Sequence, residues 1–244
     1  MENLNRPVTT ADGSHTLVSD RFGQSYHSVH GALAESRRVF LELGFEFLAE
    51  TKTEISVLEM GFGTGLNALL TWLEADRRGL PVRYVTLEAY PISPADVAAL
   101  NYDEVLQTDR LRQLHQAPWG EDVPLGEYFT LRTEGMALED FLHRPIPSEG
   151  FKPFARDGTM EEENYDLVYF DAFSPDTQPE LWTAEVFTKI AKKMPRGGVL
   201  TTYSAKGSVR RALQAAGFRV EKHPGPPGKR EVVRAVMPPN GDFL

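Results

Sequence analysis

The chain has 244 residues, of which 41% are hydrophobic and 25% charged, with a formal net charge of −9 and no cysteine. Such a chain can build one ordinary core, and the lack of cysteine excludes disulfides, thiolate metal ligands and a thiol nucleophile. The negative net charge argues against a general nucleic-acid coat protein. Because the sequence has neither a signal-peptide pattern nor a run of about 18 apolar residues, we expect a cytoplasmic protein without a membrane partner.

Residues 55–67, with the sequence ISVLEMGFGTGLN, form the first element with a predicted function. Apolar residues predict a buried strand, glycines at positions 61, 63 and 65 predict a tight turn, and an apolar helical pattern follows at once. Free N–H groups at the start of such a helix suit an anion. The G-x-G-x-G spacing, with Glu59 ahead of it, differs from the dinucleotide fingerprint and resembles the first motif of class I methyltransferases, which binds S-adenosylmethionine (SAM). The alternative is a tight turn that needs glycines without any ligand.

Strands and helices alternate along the rest of the chain. The predictions are a strand at 82–87, a helix at 94–100 capped by Ser93, a strand at 128–132, a helix at 137–142, an exposed loop or insertion at 144–164, a strand at 165–170, a helix at 183–193, a strand at 199–203, a helix at 209–216, and two strands at 218–222 and 231–236 around a Pro/Gly-rich loop. This order predicts an α/β fold with a mostly parallel sheet, helices on both faces and a C-terminal antiparallel hairpin. Class I methyltransferases add such a hairpin to this plan.

Ligands of parallel sheets lie beyond the carboxyl ends of the strands. We therefore expect Glu59, Glu88, Gly135, Asp171 and Tyr203 to surround one crevice. Glu88, at the end of the second strand, is placed to accept hydrogen bonds from ribose hydroxyls.

The sequence resembles the methyltransferase half of the bifunctional tRNA 5-methylaminomethyl-2-thiouridine biosynthesis protein. The segments that carry the resemblance are YFDAFSP at 169–175 with PELWT at 179–183, RFG at 21–23 with Glu35 and Ser36, the glycine motif at 61–67, Arg210 and Arg211 with Gly217 and Phe218, and GKRE at 228–231. The resemblance implies an N-terminal extension with a helix that packs on the core at 1–50, and a SAM-dependent methyltransferase domain at 51–244.

The resemblance also implies a reaction and partners. The reaction is SAM-dependent methylation of the primary amine of 5-aminomethyl-(2-thio)uridine at the tRNA wobble position. The bifunctional family carries a flavin-dependent oxidase as well, for which this chain is too short. We therefore expect no flavin here, tRNA as a partner, and a separate oxidase or upstream modification enzyme to supply the substrate. Where the family usually has an acid after the glycine of the third strand, this chain has Met136, which can pack on a purine ring.

Site residues follow from the motifs and the resemblance together. The expected cofactor residues are Glu59, Gly61, Phe62, Gly63, Thr64, Gly65, Asn67, Glu88, Tyr90, Gly135, Met136 and Asp171. The expected substrate residues are Tyr26, Phe173, Ser174, Pro175, Trp182, Tyr203, Lys229 and Arg230, with His27 and His30 near the substrate side. No His/Asp/Glu cluster has metal-ligand spacing, so we expect no metal.

The chemistry suggests a role for several of these residues. Asp171 is expected to take up or orient the protons of the amine, with turn capping as the alternative. Glu59 would approach the methionine part of SAM. Phe173, Trp182 and Tyr203 are candidates for stacking on an extruded uridine, although each is also a candidate for the core. Lys229 and Arg230 would clamp tRNA phosphates.

Two other functions stay open at this point. An aminopropyltransferase of the polyamine-synthase type would use decarboxylated SAM on a related fold, but the basic stretch from Lys206 onward would repel a polycationic amine. A SAM- or RNA-binding protein without turnover would keep the fold and the glycine motif.

Overall fold

An eight-stranded sheet forms the centre of the computed structural model, which describes residues 5–143 and 164–239. Across the sheet the strands are β10 (Arg219–Pro224), β11 (Glu231–Val236), β9 (Val199–Thr202), β8 (Leu167–Phe170), β4 (Ile55–Met60), β5 (Val82–Leu87), β7 (Phe129–Glu134) and β6 (Val123–Pro124). The loop expected at 144–164 lies outside the described residues, except for Asn164.

The middle of the sheet is parallel and its edges are antiparallel. β4 pairs in parallel with β5 and β8, and the parallel order continues to β7 on one side and β9 on the other. β11 runs antiparallel to both β9 and β10. The predicted parallel sheet with a C-terminal antiparallel hairpin is therefore confirmed. The third strand extends two residues further than expected because Thr133 and Glu134 keep pairing with the end of β5.

Helices cover both faces of the sheet. They are α1 (Ala32–Ser36), which continues through π-helical turns at Arg37–Glu46 into α2 (Phe47–Ala49), then α3 (Leu66–Arg78), α4 (Pro94–Ala98), α5 (Tyr102–Leu106), α6 (Leu111–Gln116), α7 (Leu138–His143), a 3₁₀ turn at Pro179–Trp182, α8 (Ala184–Ala191) and α9 (Gly207–Ala215). Alternate strand residues face opposite layers. Leu167 and Tyr169 pack in the layer with α3, whereas Val168 and Phe170 pack in the layer with α8 and α9.

The helical run at 32–49 packs directly on the sheet. The rings of Phe40 and Tyr169 lie 5.2 Å apart. A Cβ atom at Gly44 would come within 3.0 Å of the side chain of Leu167, so glycine lets the helix approach β8 closely. The division at residue 50 stays a prediction.

A small antiparallel sheet precedes this helical run and was not predicted. Its strands are β1 (Arg6–Thr9), β2 (His15–Ser19) and β3 (Gln24–Ser25). The backbone N–H of His15 donates to Asn101 Oδ1 at 2.8 Å, which ties this sheet to the loop before α5. The sheet thereby holds residues 22–30 beside the carboxyl ends of the central strands. No helix in the described ranges combines the length and the apolar character that crossing a membrane requires.

Candidate active site

A cavity of about 660 Å³ lies beyond the carboxyl ends of the central strands, a volume typical of small-molecule sites. The expected site residues that line it are Tyr26, Gly61, Phe62, Gly63, Thr64, Asn67, Glu88, Tyr90, Met136, Asp171, Phe173, Ser174, Tyr203 and Lys229. Those that do not line it are Glu59, Gly65, Gly135, Pro175, Trp182 and Arg230. The structure thus brings most of the expected cofactor and substrate residues to one place.

The glycine turn passes close to other parts of the cavity wall. Gly61 and Gly63 have positive φ values of 89° and 50°, which glycine adopts at little cost. A Cβ atom at Gly61 would lie 3.1 Å from the carbonyl oxygen of Asp171, and one at Gly63 would lie 2.8 Å from the Tyr26 ring. Since both approaches are tight, the turn needs glycine for contact with its surroundings as well as for its backbone conformation.

Asn67, in the first turn of α3, lies between Asp171 and Glu59 and forms a hydrogen bond to each of them. Its Nδ2 donates to Asp171 Oδ2 at 2.8 Å and to Glu59 Oε1 at 3.1 Å. Its Oδ1 is buried and accepts no hydrogen bond from the described residues. A ligand that carries an ammonium group would satisfy this oxygen, while the N-terminus of α3 favours a carboxylate. Both charges belong to the methionine part of SAM, so this wall fits that ligand.

Glu59 lies beneath the cavity wall and does not line the cavity. It is fully buried and accepts a hydrogen bond from Thr86 Oγ1 at 2.8 Å in addition to the one from Asn67. Burial raises the pKa of its carboxyl to about 8. Its hydrogen bond to Asn67 Nδ2 orients Asn67 from beneath the cavity wall, and the expected direct approach of Glu59 to SAM stays a prediction.

Glu88 fixes the glycine turn from the neighbouring strand. One carboxyl oxygen accepts the N–H of Gly63 at 2.8 Å, and the other accepts the N–H of Tyr90 at 2.7 Å. Burial raises the pKa of this carboxyl. Each oxygen keeps a lone pair for another donor, so the two hydrogen bonds leave room for ribose hydroxyls.

Two glycines that were expected to contact SAM do not line the cavity. Met136 lines the cavity, but Gly135 faces the ring of Trp119, which a Cβ atom there would meet at 3.1 Å. Gly65 likewise lies behind the wall, against His115. Neither the exposed Gly135 nor the buried Gly65 lines the cavity, and their expected contacts with SAM stay predictions.

Asp171 lies where the glycine turn meets the end of β8. Its N–H donates to the carbonyl of Met60 at 3.2 Å, and its carboxylate accepts from Asn67. Burial, with a further contribution from the nearby Glu35 carboxylate, raises the pKa of Asp171 well above its usual value. A carboxylate with a raised pKa is a better proton acceptor.

Aromatic rings line the side of the cavity next to Asp171. Phe173 contacts Phe22 at 4.2 Å and Tyr26 at 5.3 Å between ring centroids. Tyr203 donates from its hydroxyl to the carbonyl of Ala172 at 2.9 Å. These rings form an apolar wall of the kind on which a planar base can stack.

Trp182 and Pro175 do not belong to this wall. Trp182 is 5% exposed, donates from Nε1 to the carbonyl of Phe173 at 2.9 Å and packs edge-on against Phe170. The stacking role expected for Trp182 is therefore wrong, because its ring completes the core beneath the loop. Pro175 lies outside the cavity.

The two basic residues of the hairpin loop point to different places. Lys229 Nζ forms an ion pair with Glu35 Oε1 at 2.5 Å and lies 4.0 Å from the Tyr203 ring centroid, inside the cavity. Arg230 is exposed and does not line the cavity. The expected phosphate clamp is thus corrected for Lys229, whose charge is already paired.

The N-terminal segment contributes more to the cavity than the sequence indicated. His27 Nε2 lies 2.7 Å from Thr64 Oγ1, and burial lowers the pKa of His27 to about 4, so its ring is neutral. His30 packs against Gly228 and does not line the cavity. Phe22 and Glu35 line it but were singled out only as part of the family resemblance. Among the described residues no group of three His, Asp or Glu side chains could hold a metal ion, and the expected lack of a metal stays a prediction.

The central parallel sheet, the glycine turn and the C-terminal hairpin define a class I SAM-dependent methyltransferase fold. A family model described as an S-adenosyl-L-methionine-dependent methyltransferase matches residues 155–238.

The chain is similar over nearly its whole length to proteins named tRNA 5-methylaminomethyl-2-thiouridine biosynthesis bifunctional protein MnmC. It is 35% identical to that of Paracidovorax citrulli over 230 residues, which are 92% of this chain and 34% of the relative. It is 33% identical to that of Aromatoleum aromaticum over 238 residues, which are 94% of this chain and 35% of the relative. The chain thus spans about a third of the length of these relatives, and the resemblance seen in the sequence is confirmed.

A solved structure gives the same result for the fold. The crystal structure of MNMC2 from Aquifex aeolicus is 28% identical and superposes with a TM-score of 0.73, covering 98% of this chain and 73% of the other.

Proposed function

We propose that this protein transfers a methyl group from SAM to the primary amine of 5-aminomethyl-(2-thio)uridine at the tRNA wobble position. The observation that carries the proposal is the contact between Asn67 and Asp171, which puts a proton-accepting carboxylate beside the wall that fits SAM. The names of the relatives point to the same modified nucleoside. In this proposal SAM is the methyl donor, tRNA is the partner, and neither a metal nor a flavin takes part.

The cofactor end of the cavity would hold SAM through groups that the structure leaves available. Asn67 Oδ1 would accept from the methionine ammonium, the first N–H groups of α3 would bind its carboxylate, and Glu88 would accept from the ribose hydroxyls. Met136 would pack against the adenine ring. When bound, SAM supplies a methyl group on a positively charged sulfur.

The substrate end would prepare the amine. An amine attacks only through an uncharged nitrogen, so Asp171 would accept a proton from the ammonium form and hold the nitrogen in place. Phe173 and Tyr203 would hold the extruded uracil ring. Correct placement of two reactants can lower a barrier by roughly 7–11 kcal/mol, so the chain needs no covalent intermediate.

Isotope-labelled SAM and tRNA that lacks the final methylation test this function. The expected result is label in the wobble nucleoside, identified by mass spectrometry as the methylaminomethyl product. In a parallel reaction with decarboxylated SAM and a diamine, formation of a longer polyamine, without transfer of label from SAM to tRNA, would identify an aminopropyltransferase. SAM binding in a calorimeter without transfer to any tRNA would identify a binding protein. Either outcome would overturn the proposal. A separate flavin-dependent oxidase or another upstream enzyme would supply the amine in the cell.

A further inference from the structure

A buried ion pair at the substrate end of the cavity has no part in the function proposed so far. Glu35 on α1 is 5% exposed, and its Oε2 accepts the N–H of Ser28 at 2.7 Å. Its Oε1 lies 2.5 Å from Lys229 Nζ. Both side chains line the cavity, although they come from opposite ends of the sequence.

The pair lies on the same side of the cavity as Asp171. The Lys229 ammonium lies 4.0 Å from the Tyr203 ring centroid, and the Tyr203 hydroxyl donates to the carbonyl of Ala172, the residue that follows Asp171. The hairpin loop is packed firmly here, since a Cβ atom at Gly228 would come within 2.2 Å of His30. The ion pair with Glu35 and the contact with the Tyr203 ring place the Lys229 ammonium in the cavity wall.

Carboxyl groups outnumber cations among the described residues that line the cavity. Among the described residues that line the cavity, Lys229 is the only lysine or arginine, and Glu35 neutralises it. His27 is neutral because burial lowers its pKa to about 4. Glu88 is engaged with the glycine turn at the other end of the cavity. Asp171, Glu139 and Glu180 line the cavity as well, so its carboxyl groups outnumber the cations among its lining residues.

We propose that Glu35 is a specificity-determining residue. By neutralising Lys229 it leaves the carboxyl groups of the pocket, Asp171 among them, without a competing cation, so that the pocket selects a uridine with a cationic group on C5 and rejects one with an anionic group. Without Glu35 the unpaired Lys229 ammonium would weaken the attraction for a cationic substituent and favour an anionic one. This inference rests on the proposed function, because it assumes that a C5-substituted uridine enters this end of the cavity.

The charge argument predicts an order for four proteins. Compared with the wild type, the charge of the pocket is one unit more negative in Lys229→Gln, unchanged in the double variant Glu35→Gln/Lys229→Gln, and one unit more positive in Glu35→Gln, because each substitution removes one charge of the ion pair. The preference for a cationic over an anionic substituent should fall in that order. The double variant is the matched control, because it loses the same carboxylate as Glu35→Gln but restores the charge.

Binding of two RNA hairpins measures this preference without any methyl transfer. One hairpin carries 5-aminomethyluridine in its loop and the other 5-carboxymethyluridine, and both are titrated with S-adenosylhomocysteine present at pH 8. We expect the ratio of the two Kd values to change about tenfold for each unit of charge and to agree within about threefold between the wild type and the double variant. Equal ratios in the wild type and Glu35→Gln would overturn the inference.

Three further outcomes keep the inference separate from folding and from the proposed function. If Glu35→Gln fails to fold because it leaves a half-buried ammonium unpaired, the comparison of Lys229→Gln with the wild type decides, and an unchanged ratio there overturns the inference. If the wild type methylates aminomethyl tRNA while all four ratios are equal, the inference alone fails. If the ratios follow the predicted order while methylation is missing, the proposed function alone fails.

Discussion

The two ends of the cavity are built in different ways. At the cofactor end, the glycine turn, Asn67 and Glu88 follow directly from the ends of neighbouring parallel strands, so that short sequence motifs fix their positions. At the substrate end, Glu35 and Lys229 come from segments almost two hundred residues apart and meet only in the folded chain. Local backbone geometry therefore determines where SAM would bind, whereas tertiary packing determines which substrate would be accepted.

The largest effect is expected from a substitution of Asp171, which should impair methyl transfer without weakening SAM binding. Asp171→Asn keeps a side chain of the same shape next to Asn67 but cannot accept a proton, so we expect methyl transfer to fall about 10²–10⁴-fold. SAM affinity, measured by calorimetry, should stay within about threefold because the cofactor end is intact. Asp176→Asn, in the exposed part of the same loop, is the control and should keep full activity. Full turnover in Asp171→Asn would remove Asp171 from the chemistry.

Gly63→Ala should damage the cofactor end. The new Cβ atom would lie 2.8 Å from the Tyr26 ring at a positive φ, so we expect at least a tenfold loss of SAM affinity and a loss of stability of about 1–2 kcal/mol. Gly197→Ala is the matched control. Gly197 has a φ of 77° but nothing within 4 Å of its added Cβ atom, so this variant should lose stability without losing SAM affinity. Equal SAM affinity in the two variants would contradict the close approach at Gly63.

Phe173→Ala tests the stacking wall at the substrate end. Stacking is worth about 1–3 kcal/mol per base, so binding of an aminomethyluridine hairpin should weaken about tenfold while SAM affinity is kept. Trp182→Phe should change RNA binding less than twofold, because the Trp182 ring is buried beneath the loop. Fluorescence titration of both variants measures the difference. A larger loss of RNA binding in Trp182→Phe would show that the Trp182 ring contributes to RNA binding.

The smallest expected effect concerns the pH dependence of stability. The pKa of Glu59 is about 8 in the folded chain, against an ordinary value of 4.5, so the folded state keeps a proton that the unfolded state releases. The stabilising contribution of this proton is therefore lost as the pH rises from about 5 to 8.

Glu59→Gln carries no such proton, and its Tm relative to the wild type should rise by about 5–10 °C between pH 5.5 and pH 8. Glu54→Gln, at an exposed position just before the same strand, is the control and should show no such change. A difference that stays constant with pH would mean that Glu59 is ionised in the fold.

Most of the sheet and the cofactor end could be predicted from the sequence because both depend on local patterns. The strands at 55–60 and 82–87 are buried runs that end at a glycine turn or an acid, and Ser93 forms the expected cap of α4. The position of Asp171 follows from its place at the end of a buried strand.

Other features depend on contacts that no local pattern encodes. The direction of the Glu59 side chain is set by the packing of β4 against β5, and Trp182 turns inward because its indole N–H finds the carbonyl of Phe173. The small N-terminal sheet has strands of two to five residues, too short for a periodic pattern. The ion pair between Glu35 and Lys229 exists only after these segments have been brought together.

The meeting of Glu35 with Lys229 has a consequence for biosynthesis. A ribosome makes the chain from its N-terminus. Residues 22–35 therefore cannot contact Lys229 until the C-terminal hairpin has left the exit tunnel. Until then the nascent chain lacks one side of the cleft. Ligands that bind only the finished cleft can stabilise the completed polypeptide but give no help to the growing one.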